Sequence, residues 1–256
     1  MRPGHVNPCT ALPEPPLGRK VRSLGSLTRS RSLLRSNTLT FNNDNVDNSN
    51  RGACDQDPGM TGRTAITLFK GSDTVQSNEN HDDATATSSS PAYAIVDLTA
   101  AYGPQNSSRV ERGFAFTKSY GHLLIVDEFD FPASSSVRNV TWTMHTMATV
   151  NILEATGGAR PAAVLSLGGV RLHATVIEPE KGVAFSTASV DLLPPAKPSA
   201  GVSKLQVHLP VAPGGVMRIV VGLSLSAAAA TVKPTPLAEW KTGRGPFAAV
   251  ARRGAR

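Results

Sequence analysis

The sequence predicts an all-β protein, an antiparallel β-sandwich flanked by disordered basic tails. Nine short segments alternate apolar with small or polar residues and are rich in β-branched residues. Clusters of Gly, Pro, Asn and Ser separate these segments, and no stretch of ten or more residues has helical spacing. The 256 residues suffice to bury the core of one large domain. We therefore expect a single sandwich over residues 36–225.

The predicted strands follow one another at short intervals along the middle of the chain. They are Thr64–Phe69, Ala92–Leu98, Val110–Thr117, His122–Asp127, Val137–Ile152, Ala162–Leu167, Val170–Ile177, Lys204–Leu209 and Met217–Leu223. Gly168 and Gly169 separate two of them, which is a strong signal for a two-residue hairpin turn. Neighbouring strands joined so closely favour antiparallel pairing.

The net charge of +7 is concentrated at the two ends of the chain. Seven Arg and Lys against one Glu give residues 1–35 a charge of +6, and six against one give residues 231–256 a charge of +5. The remainder carries −4. Both ends are rich in Pro, Gly and Ser, which predicts disorder. We accordingly divide the chain into a basic leader (1–35), the sandwich (36–225) and a basic Pro/Ala/Gly-rich tail (226–256).

The distribution of charge and apolar residues also bears on partners. The basic ends lack interleaved aromatic residues for stacking on bases, and the middle is acidic, so no nucleic-acid partner is predicted. No apolar run approaches the length of about 18 residues that a transmembrane helix needs. The prolines near the start interrupt any apolar run, so the sequence shows no signal peptide, and the compartment stays open.

Two polar features in predicted strands have competing interpretations. His145 lies mid-strand in the segment Trp142–Met147, where a partly buried strand histidine is the simpler interpretation. The alternative is a metal ligand or a site residue, because neutral imidazole suits zinc. The acids of Asp127–Asp130 follow an apolar strand and are interpreted as solvated turn residues. Their alternative role is a metal co-ligand or a substrate contact.

Five segments resemble, in order, the motifs of one enzyme family. They are Arg35–Phe41 (family RSHNTLTF), Ala94–Tyr102 (ADLTPAY), Val110–Phe114 (V-x-R), Leu124–Phe129 (LLVVDEF) and Trp142–Thr146 (W-x-MHT). The chain thereby resembles the heparinase II/III-like family over about residues 36–225. The resemblance implies the C-terminal β-sandwich of that family, with the fold expected above.

The same resemblance implies a function. Full-length members are polysaccharide lyases that join a helical toroid to this sandwich and cleave uronic-acid glycosides by β-elimination. This chain resembles the sandwich alone, so we expect it to be inactive without the toroid, with an acidic polysaccharide such as a glycosaminoglycan or alginate as its partner. Whether it is an enzyme at all stays open, and the alternative is a non-catalytic carbohydrate-binding module. The family is typically periplasmic or secreted.

The resemblance assigns site residues only in part. It implies substrate binding for Asn37 and zinc binding for His145, and it assigns no catalytic residue. The family's motif has a histidine before the asparagine, a zinc ligand in some relatives, whereas here Ser36 precedes Asn37 directly. The zinc site therefore lacks one expected ligand. The broken motif, after about 30 unmatched residues, suggests a truncated or misjoined reading frame.

Overall fold

A computed structural model describes residues 39–42, 64–71, 91–102, 107–117, 121–155, 157–190, 200–212, 214–226 and 233–247. These residues form twelve strands and two short helices. The strands are β1 (Leu39–Phe41), β2 (Ala65–Lys70), β3 (Ala92–Asp97), β4 (Arg109–Thr117), β5 (His122–Asp130), β6 (Asn139–Thr146), β7 (Thr149–Leu153), β8 (Ala162–Leu167), β9 (Val170–Glu178), β10 (Phe185–Ser189), β11 (Ser203–Pro210) and β12 (Val216–Ser224). The helices are α1 (Thr99–Tyr102) and α2 (Leu237–Lys241).

The strands form two antiparallel sheets that face each other. The small sheet has the order β1-β6-β11-β10, and the large sheet has the order β2-β3-β4-β5-β12-β9-β8-β7. Every other side chain of the central strands points into the space between the sheets, where Trp142, Phe129 and Leu205 are fully buried. The antiparallel sandwich predicted from the sequence is thus confirmed.

One predicted strand is in fact two strands in different sheets. The segment Val137–Ile152 divides after Thr146, so that β6 joins the small sheet and β7 the large one. At the corner, the Ala148 N–H donates to the Thr146 hydroxyl at 3.0 Å, and Met147 is 67% exposed. A local side-chain-to-backbone bond of this kind competes with the sheet ladder and lets the chain turn.

Two short strands, β1 and β10, were not among the predicted strands, because segments of three and five residues are too short to show a clear alternation of apolar and polar residues.

The predicted hairpin at Gly168 and Gly169 is confirmed. Both glycines have positive φ, 57° and 81°, as a tight turn between antiparallel strands requires.

The acids after the apolar run of β5 are not turn residues, so that interpretation was wrong. The strand continues to Asp130, and Asp127 and Glu128 are 0% and 5% exposed. They are tolerated there because arginines on the adjacent strands pair with them. The sequence does not reveal this, because the pairing depends on which strands lie beside β5 and in which register.

The predicted disorder of the tail was wrong for residues 233–247, which fold onto the outward face of the large sheet. Leu237 and Trp240 of α2 are both 0% exposed and form a second core with this face. The buried large-sheet residues of that core are Tyr93, Ile95, Ala115, Leu124, Val126, Ile177 and Val220. We call residues 233–247 the C-terminal segment. The leader and the rest of the tail lie outside the described residues, and no helix within the described part is long and apolar enough to span a membrane.

Candidate functional site

The outward face of the small sheet carries a set of polar side chains on its two central strands. Strand alternation turns Val140, Trp142 and Leu205 into the core, so their chain neighbours point away from it. These neighbours define what we call the polar face: Thr141, Thr143 and His145 of β6, and Lys204, Gln206 and His208 of β11. The strand register pairs Thr141 with His208, Thr143 with Gln206, and His145 with Lys204.

Two of these cross-strand pairs are hydrogen-bonded. The Thr141 hydroxyl lies 3.0 Å from Nδ1 of His208, and the Gln206 side-chain amide donates to the Thr143 hydroxyl at 3.3 Å. Both threonines are nearly fully buried, at 2% and 5% exposure. Their bonds restrict the rotamers of His208 and Gln206, which gives the polar face an ordered set of donors.

His145 lies on this face, half-buried, as the sequence predicts for a mid-strand histidine. Its cross-strand neighbour is the cationic Lys204, which disfavours a bound metal ion. The other histidine of this face, His208, stands opposite Thr141, which is four residues from His145 along β6. The two histidines therefore lie roughly 13 Å apart along the strands. Among the described residues, no three His, Cys, Asp or Glu side chains could hold a metal together.

The described residues therefore do not fit a zinc site on their own, because zinc takes three or four protein ligands. Asn37, Asp44, Asp47, Asp55 and Asp57 lie outside the described residues. Zinc binding at His145 and substrate binding at Asn37 stay predictions.

Four acidic residues lie instead on the outward face of the large sheet, where cations neutralise them: Glu111, Glu128, Asp130 and Glu178. Arg218 bonds to Glu178 at 2.7 Å and lies 3.2 Å from Glu128. Arg109 bonds to Asp130 at 3.0 Å and to Glu111 at 3.2 Å. The carboxylates on this face are thus paired with cations, on the side of the protein away from the polar face.

These ion pairs also fix the C-terminal segment. The backbone N–H of Leu237 donates to Glu128 Oε1 at 3.0 Å. Arg218 donates to the carbonyls of Pro234 and Thr235 at 3.0 and 2.7 Å. Lys233 and Lys241 of the segment form salt bridges with Glu178 and Glu111, respectively. The sheet thereby satisfies the backbone groups at the start of α2.

A sequence signal for this segment exists, but it is short. Pro236 stands directly before α2, and Leu237 and Trp240 are three residues apart and share one face of a helical turn. A single turn gives too few residues to establish helical periodicity. Most partners of the two apolar side chains come from strands more than 100 residues earlier, so composition alone indicated a tail.

Gly113 provides the space into which this segment packs, which gives a testable prediction. A Cβ at Gly113 would lie 2.4 Å from Leu237 Cδ2 and 2.9 Å from the Trp240 ring. We expect Gly113→Ala to lower the free energy of unfolding by about 1–3 kcal/mol through overpacking. Urea denaturation should show that this cost falls when Leu237→Ala is also present. The control is Gly71→Ala, where nothing lies within 4 Å. Equal effects at the two glycines would contradict the packing.

The segments that carry the family resemblance meet inside the sandwich. Arg112 and Asp127 form two hydrogen bonds of 2.6 and 3.0 Å, and both are buried. Burial raises the pKa of Asp127 above the ordinary carboxyl range, and the Arg112 guanidinium opposes this shift. Because the carboxylate oxygens both accept from Arg112, the pair is a structural element of the core.

Tyr102 connects two further segments. Its hydroxyl accepts from the Leu39 N–H at 3.1 Å and donates to the Leu39 carbonyl at 3.0 Å. Its ring stacks at a tilt against Phe41, with centroids 4.7 Å apart. Leu39 in turn pairs with Trp142 in the small sheet. The tyrosine therefore holds an edge strand in place.

The comparisons with known proteins are distant ones. The heparan sulfate lyase HepC from Pedobacter heparinus is similar with a TM-score of 0.45 and 10% identity, covering 73% of this chain and 23% of that one. A crystal structure of heparinase III is similar with a TM-score of 0.46 and 9% identity, covering 80% and 26% respectively. This chain thus spans about a quarter of the length of these structures. No family model and no curated protein matches the chain.

Proposed function

We propose that this chain is the β-sandwich part of a heparinase II/III-like polysaccharide lyase, and that it holds an acidic polysaccharide without cleaving it alone. The observation that carries the proposal is the convergence of the motif segments. Tyr102 binds the backbone of Leu39, and Arg112 pairs with Asp127, so four segments resembling the family are joined by direct contacts. The fifth contains Trp142, which pairs with Leu39.

The distribution of charge favours a polyanionic ligand at the polar face. Lys204, His145 and His208 lie there, and none of the described residues of the small sheet is a carboxylate. The buried threonine hydroxyls orient the neighbouring donors towards the surface. Uronates and sulfates are acceptors for such donors, so this is the face where an acidic glycan would bind.

The reaction needs two catalytic groups, and this is why we propose no cleavage by the chain alone. β-Elimination needs a base for the proton next to the carboxylate and an acid for the leaving oxygen, both beside one sugar. His145 could serve as one of them. Tyr93 and Tyr102, the described tyrosines, are buried in the two cores at 6% and 9% exposure and face no glycan. We propose that the second group comes from the helical part of the enzyme.

The role of the polar face can be tested by reversing one charge. We expect Lys204→Glu to weaken heparin binding about tenfold, because it replaces an attraction by a repulsion worth about 1.4 kcal/mol in total. Isothermal titration calorimetry at low salt measures the effect. The control is Lys70→Glu on the exposed edge strand β2, which makes the same change of net charge. Equal weakening by both variants would mean that net charge, rather than the polar face, holds the glycan.

A non-catalytic carbohydrate-binding module is the alternative, and it shares the polar face as its supporting observation. The two proposals differ in the presence of a helical partner. Sequencing the full-length transcript and the DNA upstream of the Met1 codon separates them. An open frame encoding a helical toroid, joined to this one, supports the lyase. A transcript that starts at Met1 supports the module and contradicts the proposal of a misjoined reading frame.

A further inference from the structure

Part of the core-facing side of the large sheet is left open at the end formed by β2, β3 and β4. Residues paired across neighbouring strands point to the same side of a sheet, and the register puts Phe69, Ala94 and Phe114 in one row. This row points away from the outward face, because Ala115, the chain neighbour of Phe114, belongs to the second core on that face. We call the apolar residues of this area the open apolar face, and they are Ile66, Phe69, Ala94, Phe114 and Phe116.

The small sheet does not cover the open apolar face. Ile66, Phe69 and Phe116 are 69%, 75% and 41% exposed. At the other end of the large sheet, β7 lies against β10 of the small sheet, and its Ile152 and Leu153 are less exposed, at 37% and 42%. Large apolar side chains exposed together mark a surface that another molecule covers.

Strand β2 also offers a free edge beside the open apolar face. It ends the large sheet, and within the described residues only β3 pairs with it. The backbone N–H and C=O groups along such an edge can pair with a further strand. Thr67 has no register partner in β3, and this bulge brings Ile66 and Phe69, three residues apart, onto the same side of the sheet.

We propose that this chain forms a dimer in which β2 pairs antiparallel with β2 of a second copy. A two-fold axis between Thr67 and Leu68 places Ile66 opposite Phe69 of the second copy, and it does so twice, with both pairs on the side of the open apolar face. The same register puts Lys70 opposite Ala65, so the only charged side chain of the strand does not meet its own copy. A shift by one residue would set Ile66 and Phe69 against residues that point to the other side.

The size of this contact sets the strength of the dimer. Covering two phenylalanine and two isoleucine side chains removes on the order of 500 Å² from water, which lies at the low end of specific interfaces. The dimer is therefore a weak one that forms in the micromolar range of concentration. It does not depend on the proposed lyase function, because the polar face belongs to the other sheet.

Sedimentation equilibrium of the full chain tests the proposal, at loading concentrations from about 5 to about 500 micromolar. A reducing buffer keeps Cys9 and Cys54 from linking two copies covalently. We expect a monomer–dimer equilibrium, and a loss of affinity of about tenfold or more with either Ile66→Glu or Phe69→Lys, because each variant breaks both symmetry-related pairs. Circular dichroism and the melting temperature verify that each variant is folded.

An exchange of charges tests the register itself. Ile66→Glu combined with Phe69→Lys sets opposite charges against each other in both pairs, so this double variant should dimerise more tightly than either single variant. Ile66→Lys combined with Phe69→Lys sets like charges against each other and should stay monomeric. The matched control is Leu153→Glu on β7, the other end strand of the large sheet, which should leave the dimer unchanged.

Three results would overturn the proposal. A folded chain that stays monomeric up to about 500 micromolar would leave the open apolar face to a segment of a different protein. A dimer that survives both Ile66→Glu and Phe69→Lys would form through another surface. A double variant with opposite charges that dimerises no more tightly than the single variants would rule out the antiparallel pairing of Ile66 with Phe69.

Discussion

Asp127→Ala is expected to lower the free energy of unfolding by about 3–5 kcal/mol, the usual cost of breaking a buried ion pair. Asp127 is 0% exposed and accepts both of its hydrogen bonds from Arg112. Its removal leaves the guanidinium charge buried without a counter-ion between the sheets. Chemical denaturation monitored by circular dichroism gives the magnitude.

Two further variants separate this effect from a general loss of charge. The double variant Arg112→Met with Asp127→Leu should recover most of the loss, because an apolar pair of similar volume needs no counter-ion. Glu180→Ala, which removes a 58% exposed carboxylate that lies 3.5 Å from Arg160, should cost less than about 1 kcal/mol. A cost for Asp127→Ala as small as that for Glu180→Ala would contradict a buried, paired Asp127.

Trp240→Ala is expected to release the C-terminal segment from the large sheet, at a cost of about 3–5 kcal/mol. The Trp240 side chain is 0% exposed, its ring packs edge-on against Tyr93 at 5.8 Å, and its Nε1 donates to the Thr235 carbonyl at 3.0 Å. Without the ring, the segment loses most of its apolar contact. Trypsin should then cleave after Lys241 and Arg244 much faster than in the unchanged protein, since both peptide bonds become accessible.

The matched control is Leu225→Ala, which removes a side chain that is 63% exposed. It should change stability by no more than about 0.5 kcal/mol and leave the trypsin pattern unchanged. If Trp240→Ala and Leu225→Ala gave the same stability and the same cleavage rates, the segment would not be docked as described.

The sandwich was predictable because its strands are long enough to show alternation. Segments such as Ala162–Leu167 and Val170–Glu178 alternate for six to nine residues, and a two-glycine turn joins them. The corner after Thr146 was not predictable, because β-branched residues stand directly on both sides of it and no Gly or Pro marks it. There a single bond from Ala148 to the Thr146 hydroxyl accompanies the change of sheet.

The candidate site was predictable only in part, because local patterns give a residue's place in its strand but not its neighbours from other strands. The sequence placed His145 within a strand and partly buried, as found. It did not reveal that Lys204 stands beside His145, or that Glu128 binds the start of α2, because those contacts join residues more than 50 positions apart. Contacts of this range depend on strand order, which local patterns do not encode.

The central claim is that this chain holds an acidic polysaccharide but needs a second catalytic group to cleave it. The direct measurement is incubation of the full chain with heparin, heparan sulfate and alginate, following both binding by calorimetry and the ultraviolet absorbance of unsaturated uronate. The account predicts binding of at least one of these glycans and no unsaturated product. Product formation by the chain alone, or no binding of any of the three, would contradict it.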